Sequence, residues 1–293
     1  MNRTASTEAI QSLLSTWLEA RLRPDQFQAV QAVCAAVAGG APRAKLYVAF
    51  NRLPKQVGKA DLELADAALT YAEQARAGWD PRAWSVDQIA RTLLILSVPA
   101  DDTEGYVDTL RLLYETADVA AAVALYQMLP LLAHPEAFLF QATEGLRSNM
   151  TTVFDAVALR NPYPAEQFGE NAFNQMVLKA LFIGSPLHRI VGLDACANAT
   201  LAQMLTDYAH ERWAASRTVT HELWRPVGPF AEGAALADLE RVLTHADPIQ
   251  QQAGALALAA SPDPDATHIL ARRADLHQQI AQGALTWETL ART

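Results

Sequence analysis

The sequence predicts an all-α protein, an α-α superhelix whose C-terminal part forms a HEAT-like helical-repeat array. Three observations carry this expectation. Apolar residues make up 51% of the 293 positions, yet aromatics reach only 8%; much of the remainder is alanine and leucine, which enter a helix at low side-chain entropy cost. Apolar positions recur at helical spacing, and the alternating Val/Ile/Thr-rich runs that mark strands are missing from the text. Five of the 15 prolines directly follow a capping side chain, where proline opens a helix instead of breaking it.

In order along the chain, Ile10, Leu13, Leu14, Trp17 and Leu18 follow the i, i+3, i+4, i+7, i+8 pattern of an amphipathic helix. A second helix around Phe27 to Ala38 is expected to stop at Gly39-Gly40, because glycine reaches positive φ without penalty. Ser85 and Gln88 form a capping box before Ile89, Leu93, Leu94 and Leu96. The apolar stretch Val119 to Ala133 contains Gln127 and Pro130 and falls short of the ~20 residues a membrane span requires, so it reads as a buried helix. Pro162 disfavours helix at Asn161 and ends the helix before it. WRPVGPF, from Trp224 to Phe230, reads as a rigid connector pinned by both aromatics.

Asp80-Pro81, Ser185-Pro186, Asp247-Pro248, Ser261-Pro262 and Asp263-Pro264 are all expected to start helices. A helix near Ala234–His245, then one near Pro248–Ala260, then a repeated Asp-Pro start, gives a unit on the order of 30 residues, the scale of HEAT-like repeats. No linker composition separates the parts, so one domain is expected over 1–293: N-terminal helices (1–100), a central block (101–230) and the repeat (231–293).

Charge narrows the function. A net charge of −9 without a Lys/Arg run argues against nucleic acid and against a polybasic membrane patch. Cys34 and Cys196 belong to no CxxC spacing and read as buried thiols in a reducing compartment. MNRTASTEAIQ has no apolar core of signal-peptide length, and the expected location is cytoplasmic. GxxxxGK[ST], GxGxxG and GxSxG do not occur, and no cofactor is implied.

Three sets of residues could carry function. On one continuous helix after Pro186, Leu187, Ile190, Val191, Leu201 and Leu205 share a face from whose centre Asp194 and Asn198 would project. Such groups need partners when buried. Two readings stay open: a structural network with Arg160 or Arg189 or a neighbouring helix end, or a cavity lined by this face. The preceding segment NAFNQMVLKALFIG places Phe173, Met176, Val177, Ala180 and Ile183 on one side, and Leu178 and Phe182 on the other among Asn171, Asn174 and Gln175. A helix apolar on both sides is central to its bundle, so these amides and Lys179 would face the interior or a pocket. Asp207, His210, Glu211 and His221 form the one plausible metal or acid–base set, although without HExxH spacing. Trp213 reads as a packing residue.

The segments FNQMVLKALF, GLDACAN, DYAHERWAA and ELWRPVGPF resemble the EboA family of bacterial helical proteins over about residues 145–230. The chain departs from that pattern near Cys196 and Thr200. The resemblance implies a role in a gene cluster tied to trafficking or export of secondary-metabolite precursors, beside prenyltransferase-like and sugar- or cyclase-type enzymes. It carries over no catalytic residue.

The preferred expectation is therefore a non-catalytic binding or scaffold protein, holding a small-molecule metabolite or enzymes of the same gene cluster. Its ligand-binding residues would be Arg160, Asn174, Gln175, Lys179, Arg189, Asp194 and Asn198. The alternative is a metal-dependent hydrolase or isomerase using Asp207, His210, Glu211 and His221. A purely structural oligomerisation module is the third reading.

Overall fold

The structure, a computed structural model, describes residues 7–292. Residues 1–6, the start of the segment read above for a leader, lie outside them. Contacts divide the chain into two compact units, Met1–Phe168 and Gly169–Thr293, a boundary inside the block read from sequence as 101–230. The first unit contains α1 (Thr7–Arg21), α2 (Pro24–Ala38), α3 (Arg43–Val57), α4 (Asp66–Ala75), α5 (Val86–Leu96), α6 (Thr103–Thr116), α7 (Val119–Gln127), α8 (Leu139–Arg147), α9 (Thr151–Ala158) and α10 (Tyr163–Gln167). The second contains α11 (Glu170–Ile183), α12 (Leu193–Cys196), α13 (Ala199–Ala214), α14 (Trp224–Val227), α15 (Ala235–Leu243), α16 (Pro248–Ala260), α17 (Pro264–Ala271), α18 (Ala274–Ala281) and α19 (Trp287–Leu290). The fold is all-α. Among the described residues there is no strand, only a lone bridge between Asp61 and Ser85, and no helix is long and apolar enough to cross a membrane.

In the first unit the expected local signals are present. α1 buries Ile10, Leu14, Trp17 and Leu18; α2 ends at Gly39, and Gly40 takes φ +79°. The capping box forms, with Gln88 Oε1 accepting from the Ser85 backbone N–H at 2.7 Å. α5 is the centre of this unit, packed against α1, α2, α3 and α7. Ile89, Leu94 and Ile95 are wholly buried, each stabilising the fold by ~1.5–3 kcal/mol.

That burial supports a charge in the core. The Arg91 and Asp87 side chains are 3% and 4% exposed, with Nη1 3.6 Å from Asp87 Oδ2. Burial pushes the guanidinium pKa down, opposed by the charges of Asp87 and Asp118. The partner of Arg91 Nε explains its place: it donates to the Phe50 carbonyl at 3.1 Å. Four residues on stands Pro54, inside α3, which has no N–H to give that carbonyl. Arg91 supplies the missing donor, and its guanidinium carbon lies 4.8 Å from the Phe50 ring centroid.

The same device recurs at α7. The helix expected over Val119 to Ala133 stops at Gln127, and a 3₁₀ turn, Leu129–Leu131, follows. Pro130 cannot donate to the Tyr126 carbonyl, which instead accepts from Nδ2 of buried Asn161 at 3.0 Å. Asn161 Nδ2 also reaches the Ala156 carbonyl, while its Oδ1 accepts from Tyr163 N–H. α9 accordingly ends at Ala158, slightly before the Asn161 limit set by Pro162.

In the second unit α16 is the hub. Ala253, Gly254, Ala255, Leu256, Ala257 and Leu258 are all buried, and α14, α15, α17, α18 and α19 pack on it. Small residues allow backbone-to-backbone approach. A Cβ on Gly254 would lie 2.7 Å from Leu243 N, and one on Gly228 2.7 Å from the Ala257 carbonyl oxygen. Neighbouring α15/α16 and α17/α18 pairs also meet through α15 with α17 and α16 with α18, an arrangement consistent with stacked helix pairs.

Several local expectations are corrected. Pro248 and Pro264 open α-helices after Asp caps, but Pro81 opens only a 3₁₀ turn, Pro186 precedes another, and Pro262 lies outside any helix. Asp263 captures the start one dipeptide later, its Oδ1 accepting from Asp265 N–H. WRPVGPF forms one turn of α-helix followed by a 3₁₀ turn. Trp224 anchors it, whereas Phe230 is 38% exposed. Cys34 is buried, which pushes its thiol pKa up to about 11, but Cys196 is only partly buried.

Two predictions follow from these contacts. Arg91→Met should destabilise the chain by ~3–5 kcal/mol, because Asp87 is left as a buried unpaired charge. In a Pro54→Ala background, where residue 54 can serve the Phe50 carbonyl, the same change should cost about 1 kcal/mol less. Urea unfolding of the four proteins measures this coupling, and additive effects would refute the donor-replacement account. Gly254→Ala should destabilise by ~1–3 kcal/mol despite a helix-propensity gain of up to ~1 kcal/mol; thermal unfolding reports the sign.

Candidate functional site

The single helix expected over Leu187 to Leu205 is not formed. α11 ends at Gly184 in the left-handed region, a 3₁₀ turn spans Leu187–Arg189, and Gly192 takes φ +77° before the one-turn α12. α13 begins afresh after Asn198. Helical periodicity is blind to such a reversal, which only the φ freedom of glycine permits. Leu187, Ile190, Leu201 and Leu205 are buried all the same and Val191 is partly buried, but Asp194 and Asn198 do not emerge among them.

Asp194 is a surface carboxylate, 59% exposed at its side chain. Its partner is neither Arg160 nor Arg189. Arg225 holds it in a two-pronged pair, Nε to Oδ1 at 2.7 Å and Nη2 to Oδ2 at 2.6 Å, and also reaches Glu288 at 3.1 Å. This pair ties α12 to α14. Arg189 lies exposed on its 3₁₀ turn. Arg160 belongs to the first unit, with φ +52° and Nε 3.0 Å from Asp80 Oδ2.

Asn198 is a helix cap whose Oδ1 accepts from Leu201 N–H at 2.8 Å. Its carboxamide also pairs reciprocally with Asn174 of α11, at 2.9 and 3.1 Å, and donates to the Cys196 carbonyl. Asn174 is buried as expected, and this exchange bolts the start of α13 to the middle of α11. The remainder of α11 departs from the two-sided reading. Asn171, Gln175 and Phe182 are exposed, Phe182 by 78%, while Leu178 and Lys179 are half-buried. α11 therefore buries one face, through Phe173, Met176, Val177, Ala180 and Leu181.

The acid–base set is drawn to separate partners. Asp207 accepts from Gln203, His210 Nε2 stands 2.8 Å from Asp238 Oδ2, and Glu211 is exposed. Burial lowers the pKa of His221, with the charges of Glu222 and Asp247 opposing. Glu222 accepts from the Leu187 N–H at 2.6 Å and pairs with His188 Nδ1, so it caps the 187–189 turn. Among the described residues no three His, Cys, Asp or Glu side chains come together as a metal would require.

A different site forms at the far end of α13. Trp213 stacks on buried Trp224, with centroids 5.6 Å apart and planes at 24°, and the Arg241 guanidinium carbon lies 4.0 Å from the Trp213 ring centroid. Beyond the helix Ser216 adopts φ +55°. The loop is then fixed by Arg217 N–H to the Arg212 carbonyl, by Arg212 Nε and Nη2 to the Thr218 carbonyl, and by Gln250 to the Val219 carbonyl. The result is a pocket of about 390 Å³, lined by Trp213, Ser216, Arg217, Thr218, Val219, Arg241, Val242, His245, Asp247 and Gln250. Asp247 Oδ1 caps α16 through Ile249 N–H, and its backbone N–H donates to His245 Nδ1. The neutral imidazole thus keeps its proton on Nε2 as a donor. An aromatic wall, two guanidiniums and an imidazole suit binding and orientation.

Sequence reading missed this pocket. Trp213 was visible only as a packing residue, and Arg217, Arg241 and His245 share no spacing motif because they come from separate elements. A second pocket, about 510 Å³, lies between α1 and α2 in the first unit, lined mainly by uncharged polar groups such as Ser12, Thr16, Gln28 and Gln31, with Glu19.

A family model described as "Metabolite traffic protein EboA" matches residues 10–228. No curated protein and no solved structure matches the chain.

The Asn174–Asn198 exchange gives a direct test. Asn198→Asp keeps the acceptor that caps α13 but loses the donors to Asn174 Oδ1 and the Cys196 carbonyl, and sets a carboxylate against a carbonyl. It should destabilise the chain by ~1–3 kcal/mol, and Asn174→Ala should remove most of that penalty in the double variant. Urea unfolding measures both, and a neutral Asn198→Asp would contradict the bolt.

Proposed function

The chain belongs to the EboA family of metabolite traffic proteins, and from that premise we propose that it is a non-catalytic binding protein that holds a small secondary-metabolite precursor for hand-over to enzymes of the same gene cluster. The observation that carries this reading is the pocket at the end of α13, whose volume of about 390 Å³ falls in the range of small-molecule sites. Its walls are held before any ligand arrives. Trp224 backs Trp213, and the Arg212 and Gln250 hydrogen bonds tether the 216–219 loop. A preformed site loses less freedom on binding than one that must be ordered.

Asn174, Asn198 and Asp194 take a positioning role in this proposal. The Asn174–Asn198 exchange sets the start of the helix that carries Trp213 in its last turn. The Asp194–Arg225 pair holds α14, which carries Trp224. Contact with the metabolite falls instead to Trp213, Arg217, Arg241 and His245.

Tagged full-length protein purified from its native host under mild conditions should release one metabolite, near one equivalent, when denatured and examined by mass spectrometry. A release profile identical to that of an unrelated tagged protein from the same cells would overturn the proposal.

A further inference from the structure

Resting on the binding role proposed above, we propose that the pocket at the end of α13 selects an amphipathic anion, a molecule with one negatively charged head and an apolar body. The charge pattern points to the head. In a chain of net charge −9, three other arginines of this unit face carboxylates, Arg225 with Asp194 and Glu288, Arg272 with Glu240, and Arg273 with Asp275, while Arg212 serves the Thr218 carbonyl. Arg217 and Arg241 line one pocket, and among the described residues neither has a carboxylate at ion-pairing distance. His245 adds a donor, since its Nδ1 is occupied by the Asp247 N–H. Planar guanidiniums recognise carboxylate, sulfonate and phosphate oxygens through paired hydrogen bonds.

The apolar body follows from the other wall. The Trp213 indole is held by Trp224 behind it and carries the Arg241 guanidinium over its ring; the part of the ring left uncovered, with Val219 and Val242, makes an apolar surface. A hydrocarbon body would lie against that surface while its head meets the arginines. Asp247 is the one carboxylate in the lining, and it opposes a second negative charge. A singly charged head therefore fits better than a doubly charged one.

Calorimetric titration of the full-length chain tests this with 1-naphthalenesulfonate, the neutral 1-naphthalenemethanol and the head group alone, methanesulfonate. The naphthalenesulfonate should bind at least about tenfold more tightly than either fragment. Arg217→Gln and Arg241→Gln should each weaken it about tenfold. Asp247→Asn keeps a side chain able to cap α16 and should strengthen binding about threefold. Equal affinity for the sulfonate and the alcohol would overturn the proposal, as would wild-type affinity in Arg217→Gln or no gain in Asp247→Asn. If Arg241→Gln unsettles the Trp213 stack, seen as a lowered melting temperature, exposed Arg217 decides alone. The two readings separate in purified native protein. Retention of a metabolite by Arg217→Gln/Arg241→Gln would sink the pocket assignment and keep the binding role. Sulfonate binding with the expected variant pattern, in a chain that yields no metabolite, would do the reverse.

Discussion

Backbone contact at α16 is the constraint on which the C-terminal unit depends. Gly254 lets Leu243 come close enough that a single methyl group would collide with its nitrogen, and Gly228 does the same against Ala257. Both contacts reach the pocket. The first sets the end of α15, where Val242 lies between Arg241 and the α15–α16 turn with His245. The second sets the segment that begins with Trp224, the ring behind Trp213. Small residues contribute little apolar area of their own, and their value here is distance: larger side chains would hold the neighbouring helices apart and open the walls.

The N-terminal unit illustrates a different principle. Pro54 and Pro130 each withhold a donor from the carbonyl four residues earlier, and each carbonyl is met by a buried side chain, Arg91 Nε or Asn161 Nδ2. A buried carbonyl without a partner costs about as much as a lost hydrogen bond. The charge of Arg91 and the carboxamide of Asn161 are thus tied to prolines distant in sequence. Polar residues in an apolar core answered a backbone vacancy in both cases, and the Asn174–Asn198 exchange, with its helix cap, belongs to the same class. This bears on how buried polar residues are read from sequence, because the backbone is often the partner sought.

Much of the helical architecture was legible in the chain. The α1 stripe, the capping box before α5, the Gly39-Gly40 stop after α2 and the Asp-Pro starts of α16 and α17 are local events, each decided within about one turn by a side chain, a missing N–H or a permitted φ. The errors over residues 187–205 share a cause. Residues 187–205 looked like one helix because apolar spacing continued across Gly192, and spacing carries no information on whether glycine takes positive φ. Asp194 looked buried for the same reason, and its partner Arg225 lies 31 residues on, beyond the reach of any local pattern.

Composition, spacing and capping chemistry determine that this chain is helical, roughly where its helices begin and which faces they bury, because those outcomes depend on neighbours within a turn. The membership of the pocket is a tertiary matter. Trp213, Arg217, Arg241 and His245 come from the end of one helix, a loop, a second helix and a turn, and no residue in that set needs the others for its own local conformation. They converge because glycine-mediated contacts on α16 and the stacked Trp213–Trp224 pair fix the distances between elements, quantities that exist only once the chain has packed.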